Sequence, residues 1–444
     1  MLRTSRSAAA QSVRHLAFVA LLGSALCACS SSSDSAPAAG SLDSGFGSNG
    51  KVGTDLGSPA DRANAVALQS DGRIVVVGST QDPAQGDNFA VVRYTPEGKL
   101  DSTFGEGGKT TTDFGGKSDI ARAVALQSDG RIVVAGTSHG TDTGDNIALA
   151  RYTPDGKADN TFGEGGKVST DLGTKADHAN AVAVASDGRI VVAGSTQDPA
   201  QGDNFVVLRY TADGKLDTGF GDGGRATTDF NGKSDVAQAL SIGPDGRILA
   251  AGTSHGTATG DNIALARYTA DGKPDTTFGE GGKVSTDLGT KSDHANAVAL
   301  QSDGRIVVAG STVDQAQGEN FVILRDTSEG KPDTGFGDGG KVSTDFGGKA
   351  DVANSVRVQS DGKIVAVGTS HGTATGDNIA IARYTSQGKL DTGFGDGGRV
   401  STDLGTKADH GNAAAIQSDG RIVVVGTTND PAQGDNFVVL RYRG

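Results

Sequence analysis

The dipeptide Phe-Gly returns every 58 residues, at Phe46, Phe104, Phe162, Phe220, Phe278, Phe336 and Phe394. Each copy is led by an aspartate, in the series Asp43, Asp101, Asp159, Asp217, Asp275, Asp333 and Asp391. A fixed period of tens of residues means one supersecondary unit repeated, each copy burying the apolar face of its neighbour. The seven copies fill residues 42–444, so the repeat decides the architecture of nearly everything after the leader.

Within one repeat the pattern is that of short strands. Lys51–Leu56 carries Val and Thr and stops at Gly57, and Ala63–Gln69 is small and apolar. Ser70-Asp71-Gly72 is a hairpin turn in which Gly supplies the positive φ. Ile74–Val77 is β-branched and ends at Gly78, and Phe89–Tyr94 is a further apolar run before the turn Pro96-Glu97-Gly98. Four strands per repeat and no helix are predicted. The run Ile74-Val75-Val76-Val77 is continuous rather than alternating, as in strands covered on both sheet faces. Propeller blades are covered in this way by their two neighbours, and propellers hold roughly 4 to 8 four-stranded blades. The absence of Trp, the single Met and the abundance of Ala and Val suit small, closely fitted side chains.

The repeats at the two ends decide between a ring and an open solenoid. A solenoid needs atypical capping repeats, whereas the first and last copies here resemble the rest. Lys51–Leu56 precedes the first inner strand without a blade of its own, and Phe437–Tyr442 ends a blade lacking its outer strand. Joining them gives an all-β, seven-bladed β-propeller of four-stranded antiparallel blades, with N- and C-terminal strands sharing one blade.

The segment before the repeats reads as an export signal. Arg3, Arg6 and Arg14 form its positive end, and the apolar run Leu16–Leu26 is shorter than the roughly 20 residues that span a bilayer. Leu26-Cys27-Ala28-Cys29 resembles the lipobox of bacterial lipoproteins, with Cys27 departing from the usual Ala or Ser. The resemblance implies a signal peptide over residues 1–28, cleavage before Cys29 and lipidation of Cys29, an anchor that does not span the membrane. Ser30 after the cysteine, by resemblance to enterobacterial lipoproteins, implies the bacterial outer membrane. Residues 29–41 then hold the lipidated cysteine and a flexible Ser/Ala-rich tether, and residues 42–444 the ring. One cysteine would remain after cleavage, so no internal disulfide is expected. Removal of the three leader arginines takes the formal charge from −13 to −16, which argues against nucleic acid and against a basic membrane-docking patch.

The repeat text also carries a resemblance. Ala181-Val182-Ala183-Val184, Ser186-Asp187-Gly188-Arg189-Ile190-Val191-Val192-Ala193-Gly194, Phe205-Val206-Val207-Leu208-Arg209-Tyr210 and Leu216-Asp217-Thr218-Gly219-Phe220-Gly221 resemble the delta-60 repeat family. The resemblance covers all seven repeats. It implies a propeller fold and a bacterial envelope compartment, and it brings no activity and no catalytic residues.

Charged positions recur once per repeat: the Asp43 series, those that begin at Asp55, Asp61 and Asp71, and Arg93 through Arg441. A packing device is needed once per blade and an active site only once, so these read as turn caps and Arg–Asp pairs. The calcium spacing of an EF-hand, a Gly-x-Ser-x-Gly elbow and a phosphate loop opening a helix do not occur in the sequence. The expectation is therefore no catalytic residue, no cofactor and no metal. An enzyme acting on glycan or cell-wall substrates and a surface adhesin or spacer stand behind a binding or scaffold module.

The informative residues break the sevenfold pattern. Even repeats carry Ser-His-Gly with His139, His255 and His371, and odd repeats from the third carry Asp-His with His178, His294 and His410, a second period of 116. In an up-and-down blade both loop types emerge on one face, so each even-repeat His would lie beside the following odd-repeat His. Asp177, Asp293 and Asp409 adjoin these pairs, and Arg357 stands on the inner strand where other repeats have Ala or Ser. These ten residues are the candidate binding face. A transition metal between imidazoles and a change of charge near neutrality are the chemistries open to the histidines. The expected partner is an envelope protein or a glycan, met by a monomeric ring. Asp326, in place of the tyrosine after Arg325, reads as drift.

Overall fold

Hairpin turns at fixed intervals fold the chain into 28 strands arranged as seven four-stranded antiparallel sheets, with no helix among the described residues. The computed structural model describes residues 38–444 except 85, 116–117, 141–143, 174–175, 201, 231–233, 257–259, 290–291, 315–317, 373–375 and 431–433. The export signal, Cys29 and most of the tether lie outside the described residues.

The first blade consists of β2 (Asp61–Leu68), β3 (Ile74–Asp82), β4 (Gly86–Tyr94) and β5 (Lys109–Thr112), innermost to outermost, and five further blades repeat it. The preceding strand, β1 (Lys51–Thr54), pairs with Gly434–Tyr442 from Lys51↔Leu440 to Thr54↔Phe437. That pairing makes the seventh blade and closes the ring, as the strand pattern at the two ends implies.

One detail differs from the strand pattern. β3 does not stop at Gly78 but runs to Asp82, paired with β4 from Ile74↔Tyr94 to Asp82↔Gly86. Gly78 is a point of close approach and not a terminator: a Cβ there would lie 1.8 Å from the Arg62 carbonyl oxygen on β2. The crowding accompanies a β-bulge, since the β2–β3 register shifts between Ala63 and Ala65. Asn64 is the extra residue, and its side-chain amide donates to the Ala121 carbonyl of the next inner strand at 2.8 Å. The equivalent Asn412 donates to Ala63 at 2.8 Å across the closure. Asn180, Asn296 and Asn354 do the same, so amides tie inner strand to inner strand at five of the seven junctions, with Arg122 and Gln238 at the other two bulges.

Burial on both faces explains the unbroken Val runs. Val75 and Val77 pack together with Phe104 against Ile132 and Val134 of the second blade, and Ile74 and Val76 against Val423 and Val425 of the seventh. Each such side chain contributes roughly 1.5–3 kcal/mol on burial.

The Phe-Gly beat is a packing device between blades. Phe46 is fully buried, with the Arg441 guanidinium 4.6 Å above its ring. Gly98 from the neighbouring blade presses on it so closely that a Cβ would come within 2.8 Å. In the next copy Asp101 accepts from Arg93 Nε and Arg73 Nε, each at 2.8 Å, while Arg93 also donates to the Pro154 carbonyl of the following blade. Burial alone would raise the Asp101 pKa; the Thr103 hydroxyl and N–H and the two arginines outweigh it and hold it at about 2. Residues 38–41, at the end of the expected tether, join the same scheme. Ala39 O accepts from Gly395 N at 3.0 Å, as Glu97 O accepts from Gly47 N at 2.8 Å, and Gly40 N donates to Arg443 O at 2.9 Å.

Candidate binding face

At one end of every blade the entry to the inner strand meets the hairpin between second and third strands of the preceding blade. Asp145 forms a bridge with Ala176 and Asp87 with Ser118, each pairing one blade with the next. The histidines stand on these two loop types, so the fold brings them together in pairs.

An aspartate lies between the members of each pair. His139 Nδ1 donates to Asp145 Oδ1 at 2.6 Å, and His178 Nε2 of the next blade stands 3.7 Å from Asp145 Oδ2. The arrangement recurs as His255–Asp261–His294 at 2.6 and 3.8 Å, and as His371–Asp377–His410 at 2.5 and 3.6 Å. His139, His255 and His371 are about half exposed, with side-chain exposures of 47, 48 and 48%. The Thr137 and Thr253 hydroxyls stand 3.4 Å from Nδ1 of His178 and His294.

Asp177, Asp293 and Asp409 do not join these pairs, which corrects the expectation drawn from their adjacency to His178, His294 and His410. All three are fully buried. Asp177 accepts from Leu172 N at 2.8 Å and from the Thr196 hydroxyl at 2.6 Å, turned into the blade as a loop cap. Strand alternation sends the next residue, His178, the other way. The bridging carboxylates come instead from the Gly-Asp-Asn that opens the third strand, six residues after each even-blade His. Among the described residues no group of three or more His, Cys, Asp or Glu is arranged to hold a metal ion.

Arg357 lies apart from the pairs, on the inner strand Asp351–Val358 of the sixth blade. It is half-buried, burial lowers its pKa, and Nη1 donates to its neighbour Val356 O at 2.8 Å. Among the described residues it has no ion-pair partner. Arg122, at the bulge of the second blade, escaped notice in the sequence: burial lowers its pKa while the Asp145 charge opposes this.

Two cavities break the symmetry. The larger, about 990 Å³, opens at the opposite end of the third to fifth blades, beside Val184, Ala185, Ile242, Gly243 and Leu300. Ala185 and Gly243 stand where five repeats have Gln, at 69, 127, 301, 359 and 417. Its arginines are already paired, Arg189 with Asp217 at 3.1 Å and Arg247 with Asp275 at 3.0 Å. The smaller cavity, about 380 Å³, lies on the histidine face where the seventh blade meets the first.

Similarity to known proteins is clearest at the level of the repeat. A family model described as "Domain of unknown function (DUF5122) beta-propeller" matches residues 69–104, 127–162, 185–220, 243–278, 301–336, 359–394 and 417–443, more than half of the chain. No curated protein matches in sequence. Among solved structures, one of glucose dehydrogenase is 14% identical over 71% of this chain and 95% of that one, with a TM-score of 0.44. A protein of unknown function from Dyadobacter fermentans DSM 18053 is 13% identical over 90% of this chain and 100% of its own, at 0.43. A gluconolactonase from Xanthomonas campestris is 14% identical over 86% of this chain and 96% of its own, at 0.32. None of these likenesses carries an activity to this chain.

Proposed function

The chain belongs to the DUF5122 β-propeller family, and on that premise we propose that it is a binding or scaffold module of the bacterial envelope. In this reading Cys29 carries lipid at the outer membrane, and the ring engages an envelope protein or glycan through the face with the histidine bridges. A rigid ring that presents loops on one face is a common platform for recognition.

The observation behind the reading is the triplicate His–Asp–His bridge at alternate blade junctions. A reaction centre needs one constellation, whereas a broad contact surface uses the same polar group several times. The propeller-enzyme and adhesin readings have no comparable observation behind them.

The test is crosslinking and pull-down from intact envelopes, comparing wild type with the variant in which His139, His178, His255, His294, His371 and His410 are all Asn. Loss of a single partner in the variant is expected, and an unchanged partner set overturns the role of this face. Mass spectrometry of the native protein should find diacylglycerol on Cys29; an unmodified Cys29 in membranes removes the anchor.

A further inference from the structure

An alternation of two blade types cannot close evenly on seven blades. The first and seventh blades are both of the odd type, and their junction sets Asn429 against Arg62, two residues found at these positions in no other blade. Thr427 occupies the position of Thr137 and Thr253, but the residue opposite on the next blade is Arg62 and not histidine. Thr427 is only 5% exposed, and its Oγ1 has no hydrogen-bond partner. Asn429 replaces the even-blade histidine and donates to Asp435 Oδ1 at 2.7 Å, and Arg62 Nε lies 3.2 Å from Asp435 Oδ2. The bridge is thus rebuilt as Asn429–Asp435–Arg62.

These groups line the cavity of about 380 Å³ together with His410, Asn64 and Asn412, and Ala408 is its one apolar lining residue. The Arg62 side chain is 62% exposed and meets Asp435 through Nε, so its terminal nitrogens remain to donate. The Arg62 charge is offset by Asp435, which leaves no net charge from this pair to select a strongly ionic ligand. Amide oxygens and a carboxylate accept while a guanidinium donates around a volume near the lower end of ligand sites, roughly 300–1,000 Å³, with the unpartnered Thr427 hydroxyl buried in its wall.

We propose that this seam cavity binds one neutral sugar ring, such as the exposed end of a glycan. Vicinal hydroxyls both donate and accept, which matches the polar groups of the lining, and the C–H faces of a sugar ring suit the apolar part of the cavity wall. A sugar hydroxyl reaching Thr427 would satisfy a buried hydroxyl that otherwise has no partner. The proposal deepens the binding role given to this face and rests on it.

The test uses saturation-transfer NMR and calorimetry on the full mature protein with glucose, galactose, mannose and N-acetylglucosamine. At least one of the four should bind, with Thr427→Val and Arg62→Ser each weakening it roughly tenfold while Thr427→Ser retains it. The Lys157→Ala variant, at an exposed turn on the opposite end of the second blade, should bind the same sugar unchanged. Binding that survives both seam substitutions overturns the location, as does an equal loss of binding in the Lys157 variant. Silence from all four sugars overturns the ligand class, and a partner still lost from the six-histidine variant would then leave the wider binding role standing.

Discussion

Arg441 Nε donates to Asp43 Oδ2 at 2.9 Å, joining two residues 398 positions apart. The same contact occurs inside the chain as Arg93 to Asp101 at 2.8 Å, so the closure uses the ordinary lock of the repeat. Asp43 also receives Arg421 at 3.1 Å and Arg443 at 3.2 Å.

Asp43→Ala therefore strands a buried guanidinium at the point where the ring is held shut. The expected loss is about 3–5 kcal/mol, read from urea unfolding. A loss below about 1 kcal/mol would show that closure does not depend on the pair.

Asp326 gives a pH dependence with a definite sign. Burial, then the nearby Asp333 charge, raises its pKa to about 6, and its Oδ2 is buried without a partner. A folded-state pKa above the unfolded value favours the native protein while the group is protonated; that stability is present below pH 4 and lost as pH rises through 6. Asp326→Asn should match wild type near pH 4 and exceed it by about 3 kcal/mol at pH 8. Equal stabilities at both pH values would contradict this. Asp119 and Asp235 also rise to about 6 by burial, and they cancel in the comparison.

Gly194 repeats the close approach of Gly78, since a Cβ there would stand 1.8 Å from the His178 carbonyl oxygen. Gly194→Ala should cost more than about 3 kcal/mol, because backbone and not a flexible side chain must yield. Gly165, at φ +59° with nothing within 4 Å, is the control, and its replacement by Ala should cost about 1 kcal/mol. Similar melting temperatures for the two variants would refute the crowding argument.

Arg357→Ala restores the residue found at 67, 125, 183, 299 and 415. Removal of a desolvated cation without a counter-charge should leave stability unchanged or raise it by about 1 kcal/mol. A marked drop in melting temperature would mean that Arg357 holds a contact of its own.

The ring was readable from the sequence because period, turn chemistry and two-sided burial are local signals, each repeated seven times. Histidine pairing was readable too, since it follows from which loops share a face. The carboxylate between them was not: Asp177 is the nearer residue in sequence, but alternation turns it inward, and Asp145 arrives from another strand. Gly78 looked like a strand end because glycine has two uses, and only packing against Arg62 shows which applies. The seam cavity depends on Thr427 facing Arg62 from the far end of the chain, a relation visible only after closure.

Because β1 belongs to the last blade, the first strand made has no partner until the last one exists. A chain interrupted before Gly434 would leave that blade without its third strand and the Asp43 carboxylate without Arg441. The latch thus reports on its own completeness: a truncated chain has nothing to pair with β1, and the ring cannot shut.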